Sequence, residues 1–307
     1  MMRAEVATPE VTVVIAATDA RATVRDSLRR FLEEAGSSSE VILVDASRDG
    51  SAELAQLEFP GLRILRRPPG TLVPELWREG LEASNAPLLA FSTAQMIPCP
   101  GWLSALRARM EATGAAAVGG PIEPARKLSA LDRAVYLLRY VHYLRPLAKP
   151  DSTEPPGDNA LYRRERLQGL ESTWESGFWE VEVHRSLTAR GERLVMAPEA
   201  LVEFQGGGTL LSTLRQRRDH ARHYGAARGA RMSLAERFAR SAAAPLVPAV
   251  LVRRILSTLN GRGRKITPWL PAVPSLSLLL AAWTAGETAG TWLGPPCPVR
   301  GGTVSVP

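Results

Sequence analysis

Cysteine is scarce in this chain. The 307 residues hold two, Cys99 and Cys297, far apart in sequence. That spacing excludes a disulfide framework and a cysteine-rich metal cluster, and predicts free thiols in a reducing compartment. The opening stretch, MMRAEVATPEVTVV, has no basic segment followed by a long apolar core. A secretory leader is therefore not expected, and the working face is expected in the cytoplasm. No stretch interleaves aromatic and basic residues along a strand, which argues against a nucleic-acid binder. Histidine is also rare, and the pair His220-x-x-His223 is too little by itself for a metal set.

What is present reads as an ordinary globular chain, 45% apolar and 22% charged, so disorder is not the default. The net charge of +7 points to a negatively charged partner. A nucleoside diphosphate, an anionic lipid surface and nucleic acid all qualify, as does a merely arginine-rich solvated surface. The length allows one large core or two smaller ones. We expect a catalytic-type domain over residues 1–225 and a helical appendage over residues 226–307.

Residues 11–20, VTVVIAATDA, begin as a β-branched apolar run and end in a polar turn at Thr18-Asp19. A helical pattern follows with Val24, Leu28, Phe31 and Leu32 on one face, then a second strand, EVILVD, closing in SRDGS. Strand, turn, helix and strand describe a βαβ unit, which crosses over right-handed and builds a parallel sheet. A short strand, LRIL, leads into Arg66, Arg67 and Gly70, and Pro74 opens a helix whose Leu76, Trp77 and Leu81 read as core. Residues 87–91 form a buried strand that delivers the turn Ser92-Thr93-Ala94-Gln95, after which the chain leaves through Pro98 and Pro100 to Gly101-Trp102-Leu103. A loop at the carboxyl end of such a strand is the usual address of a site in an open α/β sheet. Residues 125–150, basic and aromatic, read either as an insertion beside the site or as an outer helix.

The stretches VVIAATD, VILVDASRDGS, LAFSTAQMIPCPGWL, GGPI, NALYRR and ESGFWEVEVHRSLTARGERLVMAPEA together resemble family-2 nucleotide-sugar glycosyltransferases of GT-A fold, over residues 11–205. The resemblance implies an α/β, Rossmann-like mixed sheet flanked by helices and a nucleoside diphosphate sugar donor, UDP-linked. It places Asp19 and Asp45 on the uracil and ribose, Arg67 near the phosphates, and Thr93-Ala94-Gln95 where the family carries Asp-x-Asp. Glu180 falls on the general base, Glu182 on a second acidic position, and Trp179 replaces the preceding Glu. Arg218 and His220 are expected on the acceptor or diphosphate side. The chemistry suits these types. A carboxylate accepts hydrogen bonds from a ring N–H or ribose hydroxyls, and a guanidinium pairs with a diphosphate. Inverting transfer needs a base on the attacking hydroxyl. Beside each stands a plainer reading: Asp45 and Asp49 as turn and cap residues, Arg67 as a surface cation, and Glu180 as a helix-start acid paired with His184.

The family's metal ligands are the last Asp of Asp-x-Asp and a later histidine; Gln95 and Gln205 stand at those positions here. Carboxamides are neutral and poor sole ligands for Mg²⁺ or Mn²⁺. Three explanations stay open: metal-free catalysis with cationic side chains stabilising the leaving group, a cation held through the donor phosphates, or a domain that binds without turnover.

Residues 242–260 are apolar with a basic break at Arg253-Arg254, GRGRK follows, and residues 266–286 are uncharged up to Glu287. Pro268, Pro271 and Pro274 interrupt the second run, while Trp269, Trp283 and Trp292 suit a bilayer interface. A membrane-associated helical pair is expected, peripheral or with one membrane segment, against two soluble helices packed on the domain. The whole reads as a glycosyltransferase acting with inversion on a lipid or glycan acceptor. The rival reading is a catalytically silent sugar-nucleotide binder that partners a membrane enzyme.

Overall fold

The computed structural model describes residues 8–147 and 154–295; the thiol expected at Cys297 lies outside them. In chain order the first elements are β1 (Val11–Ala17), α1 (Val24–Ala35), β2 (Ser39–Asp45), α2 (Ser51–Glu58), β3 (Arg63–Arg66), α3 (Val73–Glu82) and β4 (Leu88–Thr93). There follow β5 (Met96–Pro98), α4 (Trp102–Thr113), β6 (Ala117–Gly119), β7 (Ile122–Pro124), α5 (Ala130–Arg139), β8 (Asn159–Arg163) and the short α6 (Arg164–Leu167). The chain continues with α7 (Glu180–Ala189), β9 (Leu194–Met196), β10 (Val202–Phe204), α8 (Leu210–Gly229), α9 (Leu234–Ala243), α10 (Val247–Gly261) and α11 (Val273–Leu293).

The elements sort into two compact units, Met1–Glu123 with Tyr143–Gln205, and Pro124–His142 with Gly206–Pro307. The first is built on a seven-stranded sheet of order β3-β2-β1-β4-β8-β6-β9, accompanied by a small sheet of order β5-β10-β7. Strands β1, β2, β3 and β4 run parallel, as the βαβ pattern predicts, while β8 lies antiparallel between β4 and β6. The sheet is therefore mixed. β1 is buried along its whole length, which is why it reads as a continuous apolar run rather than an alternating one.

Aromatic packing fixes the face that carries the site. Phe91 of β4 stacks on Trp77 of α3 at 5.8 Å and meets Phe178 at 4.7 Å, and Phe178 meets Tyr162 at 5.1 Å. All four rings are buried. Removing a ring so enclosed costs roughly 3–5 kcal/mol. Trp77 also donates its indole N–H to the Ser92 carbonyl at 2.9 Å, tying α3 to the last turn of β4. Asn159, fully buried at the start of β8, accepts from Trp102 Nε1 at 2.7 Å and donates to the carbonyls of Pro121 and Ala200 at 3.1 and 2.9 Å. One side chain thus holds three loops.

The second unit is helical. Residues 125–150, left open between insertion and outer helix, contain α5, which belongs to this unit. The expected boundary at 225 falls within α8. Helices α8 and α11 touch backbone to backbone: a Cβ on Gly290 would lie 2.0 Å from the Arg222 carbonyl oxygen, and one on Gly225 2.2 Å from that of Glu287. Glycines four apart, Gly225 with Gly229 on α8 and Gly286 with Gly290 on α11, let the two helices approach more closely than side chains allow. Helix α11 runs on through Glu287, the residue that closes the uncharged run in the sequence. The reason is an ion cluster: Arg240 reaches Glu287 Oε1 at 2.8 Å, Arg228 approaches at 3.7 Å, and Trp283 donates to Oε2 at 3.1 Å. A carboxylate so matched is tolerated inside the helix.

Candidate active site

Strands β2, β1 and β4 end side by side, with Ala17 opposite Asp45 and Ala16 opposite Thr93. The polar turns after them are therefore neighbours, at the edge where open α/β sheets bind ligands. Asp19 follows β1 with φ +48°, a left-handed conformation that Asp tolerates because its short side chain bonds locally. Its N–H donates to Ser47 Oγ at 2.9 Å, and its Oδ1 accepts the Arg48 N–H at 3.0 Å. Ser47 Oγ donates onward to Asp45 Oδ1 at 2.7 Å. One hydroxyl ties the Asp19 backbone to the Asp45 carboxylate.

Asp45 is only 5% exposed, and burial raises its pKa above the usual carboxylate range, opposed by the bonds from Ser47. Asp49 serves the turn, as its plainer reading holds: it accepts the Ser51 N–H at 3.1 Å and the Arg21 N–H at 2.9 Å at the start of α2. Arg67 donates its backbone N–H to the Asp45 carbonyl at 2.8 Å, but its guanidinium pairs with Glu79 at 2.5 Å and holds that carboxyl below its ordinary pKa. A diphosphate would have to compete with Glu79 for it.

The turn after β4 is anchored by the Ala94 N–H, which donates to the Ala16 carbonyl at 2.9 Å. Thr93 and Ala94 are buried, and Thr93 Oγ1 has no hydrogen-bond partner. Beyond the turn, β5 pairs antiparallel with β10, Met96 opposite Phe204, and the Gln205 N–H donates to the Gln95 carbonyl at 2.9 Å. The structure thus sets Gln95 beside Gln205 although 110 positions separate them in the sequence. Two neutral carboxamides do not fit a protein-held divalent cation, and among the described residues no group of three His, Cys, Asp or Glu side chains gathers to hold one.

Glu180 is the first residue of α7 and is half-buried. A Cβ on Gly157 would come within 2.8 Å of the Trp77 ring and 3.2 Å of Glu180 Cδ, so the carboxylate stands over the chain entering β8. The next residue, Asp158, accepts Ser92 Oγ on its carbonyl at 2.9 Å. That path runs from Glu180 to the end of β4. Burial first, and the charge of Glu180 second, raise the phenol pKa values of Tyr143 and Tyr162. His184, the partner in the plainer reading of Glu180, is buried against Tyr162, with Oη 2.8 Å from Nε2, and 4.0 Å from Glu154. Burial lowers its pKa to about 4. Trp179 donates its indole N–H to the Ser176 carbonyl at 3.4 Å, and Glu182 pairs with Arg185 at 2.8 Å.

Arg218 and His220 belong to α8 in the second unit. Arg218 is exposed and pairs with Asp219 at 2.9 Å; His220 lies 6.2 Å from the Trp283 ring, its imidazole held neutral by burial and by the Arg217 cation. Ser47, whose bridge joins loops 28 residues apart, and Asp158, a buried acid whose one signal is its place in the turn before β8, are not evident from the sequence.

The family described as Glycosyl transferase family 2 matches residues 12–170. No curated protein matches the sequence at a significant level. Among solved structures, the mannosyltransferase PcManGT from Pyrobaculum calidifontis, in complex with GDP-Man and Mn2+, aligns over 94% of this chain and 88% of its own, with TM-score 0.50 and 16% identity. S. aureus TarS 1-349 aligns over 91% and 90%, with TM-score 0.47 and 9% identity. At such identity the mannosyltransferase likeness speaks for the fold, which is of GT-A type.

Proposed function

Because the chain belongs to glycosyl transferase family 2, we propose that its first unit transfers a sugar, with inversion, from a UDP-linked donor to a hydroxyl of a lipid or glycan acceptor. The observation that carries this reading is the line of polar turns at one sheet edge, from the Asp19–Ser47–Asp45 relay through Thr93 to Glu180. Asp45 and Asp19 accept hydrogen bonds from the nucleoside, and Thr93 lies buried beneath them at the end of β4. Glu180 takes the proton of the attacking hydroxyl as that oxygen bonds to the anomeric carbon and the nucleoside diphosphate departs. A carboxylate in that role contributes on the order of a hundredfold to ten-thousandfold. The carboxamides Gln95 and Gln205 hold no cation, and no step runs through one; Mg²⁺ or Mn²⁺ can still arrive bound to the donor phosphates. The second unit keeps the protein at the cytoplasmic face of a membrane.

The paired carboxamides also favour a second reading, a domain that binds the donor without turning it over. Donor hydrolysis with and without EDTA, beside donor binding, separates the two. Turnover indifferent to chelator, lost about a thousandfold in Glu180→Gln with donor affinity unchanged, supports the enzyme. Donor binding with no turnover supports the silent binder, and a Glu180→Gln variant at full rate removes Glu180 from the mechanism.

A further inference from the structure

The second unit contains two helical stretches, Leu234–Gly261 and Thr267–Leu293, long and apolar enough to cross a membrane, yet only 11% and 28% of their apolar windows are buried. A core helix of a soluble protein would have these faces covered. Leu246 is 65% exposed and Leu270 56%, with Val250, Val273 and Leu278 also exposed. So many large apolar side chains left exposed on two helices mark an interaction face.

Charge identifies its partner. Residues 237–286 contain seven Lys and Arg and no Asp or Glu, whereas the chain's 31 acidic residues spread evenly would put about five in 50. Arg253 and Arg254 are exposed halfway along α10, where a spanning helix would carry them into hydrocarbon at a cost of several kcal/mol. Lying in the interface plane, the same helix keeps its apolar side in lipid and its guanidinium groups at headgroup level. Between α10 and α11 runs an apolar groove of 790 Å³, lined by Pro248, Val252, Leu256, Ile266 and Leu280, with Arg253 on its wall. That volume falls within the range of small-molecule sites, roughly 300–1,000 Å³. An apolar trough with one guanidinium and no acid among its lining residues matches a ligand with an apolar chain and an anionic head.

We infer that the groove between α10 and α11 takes one acyl chain of an anionic phospholipid, with Arg253 on its phosphate. This rests on the reading that the second unit lies on a membrane, and it adds which lipid is gripped and where. The guanidinium forms charge-assisted hydrogen bonds in a half-apolar setting, stronger than the diffuse attraction of a surface cation.

The test is sedimentation of the full chain with vesicles of phosphatidylcholine alone, or of phosphatidylcholine with added phosphatidylglycerol. Tight binding to the anionic vesicles is expected. Arg253→Gln should weaken it about thirtyfold, while Lys265→Gln, which removes the same charge outside the groove, should weaken it no more than about fivefold. Ser277→Asp, an exposed groove residue, provides a second variant that should also lose binding. Equal losses for Arg253→Gln and Lys265→Gln overturn the groove site in favour of diffuse charge. Equal binding of all forms to both vesicle types overturns the anionic preference while membrane attachment stands. No binding to either vesicle overturns membrane attachment itself.

Discussion

A carboxamide is neutral where a carboxylate is charged, so it offers a divalent cation far less. At Gln95 and Gln205 that distinction can be tested directly, because the β5–β10 pairing holds the two residues adjacent whatever their side chains. Gln95→Asp combined with Gln205→His introduces a charged oxygen and an imidazole side by side. We expect the double variant to bind Mn²⁺, read by electron paramagnetic resonance, and donor turnover to become sensitive to EDTA; if neither appears, the two positions do not face the donor. Asp19 could be placed just past β1 and Asp45 at the end of β2 because each follows a β-branched run, while the roles proposed for them rest on the family resemblance. Arg67 read equally well as a phosphate ligand, and its pairing with Glu79 was not legible, since 12 positions of loop and helix separate them. Ser47 escaped notice for a related reason: its value lies in a bond to Asp19 that only the parallel pairing of β1 and β2 creates.

Among the elements, the long ones declared themselves. β1, β2 and β4 are apolar runs closed by polar turns, and α3 carries Pro74 in its first turn, with the Glu75 carboxylate on the Leu72 N–H at 2.7 Å. The three-residue strands β5, β7, β9 and β10 were not legible as strands, because periodicity needs more residues than they have. The counter-ions that keep Glu287 inside α11, Arg228 and Arg240, come from other helices and were not legible. The α8–α11 contact makes a prediction at this scale. Gly290→Ala pushes a methyl group against the Arg222 carbonyl and should destabilise the second unit by about 1–3 kcal/mol or more. Gly261→Ala, with nothing within 4 Å of its Cβ, should be neutral or gain up to about 1 kcal/mol from helix propensity. Thermal unfolding of the pair checks this, and equal shifts would show that the helices do not touch as described.

Taken as a whole, the molecule keeps its four histidines neutral. Burial is the main cause that lowers the pKa of His142, His184, His220 and His223, most clearly His184, to about 4. An imidazole whose folded pKa lies below its unfolded value near 6.5 takes up its proton only on unfolding. Stability is therefore full above that unfolded value and is lost as pH falls toward the folded one. For His184 the loss is on the order of 2 kcal/mol by about pH 5. Urea midpoints should fall between about pH 7.5 and about pH 5, and His184→Gln should lessen the slope; a profile equally steep in the variant would assign the loss to other groups. The sequence showed an α/β half and an apolar helical half by pattern and composition. It did not show that α5 joins the latter, because that choice depends on contacts far along the chain.

β8 runs against its neighbours in the large sheet, so it presents its first residue, Asn159, where β4 presents nearly its last, Ser92. At the opposite end its exit is locked: Arg163 donates to the Ala115 carbonyl, and Arg164 to those of Ala86 and Ser84. Varying the chain at the exposed Glu154, ahead of Asn159, therefore alters what the rim admits and leaves the slab beneath in register. Selectivity and durability can drift independently, and a designer seeking a new acceptor would graft a cassette there before touching any strand.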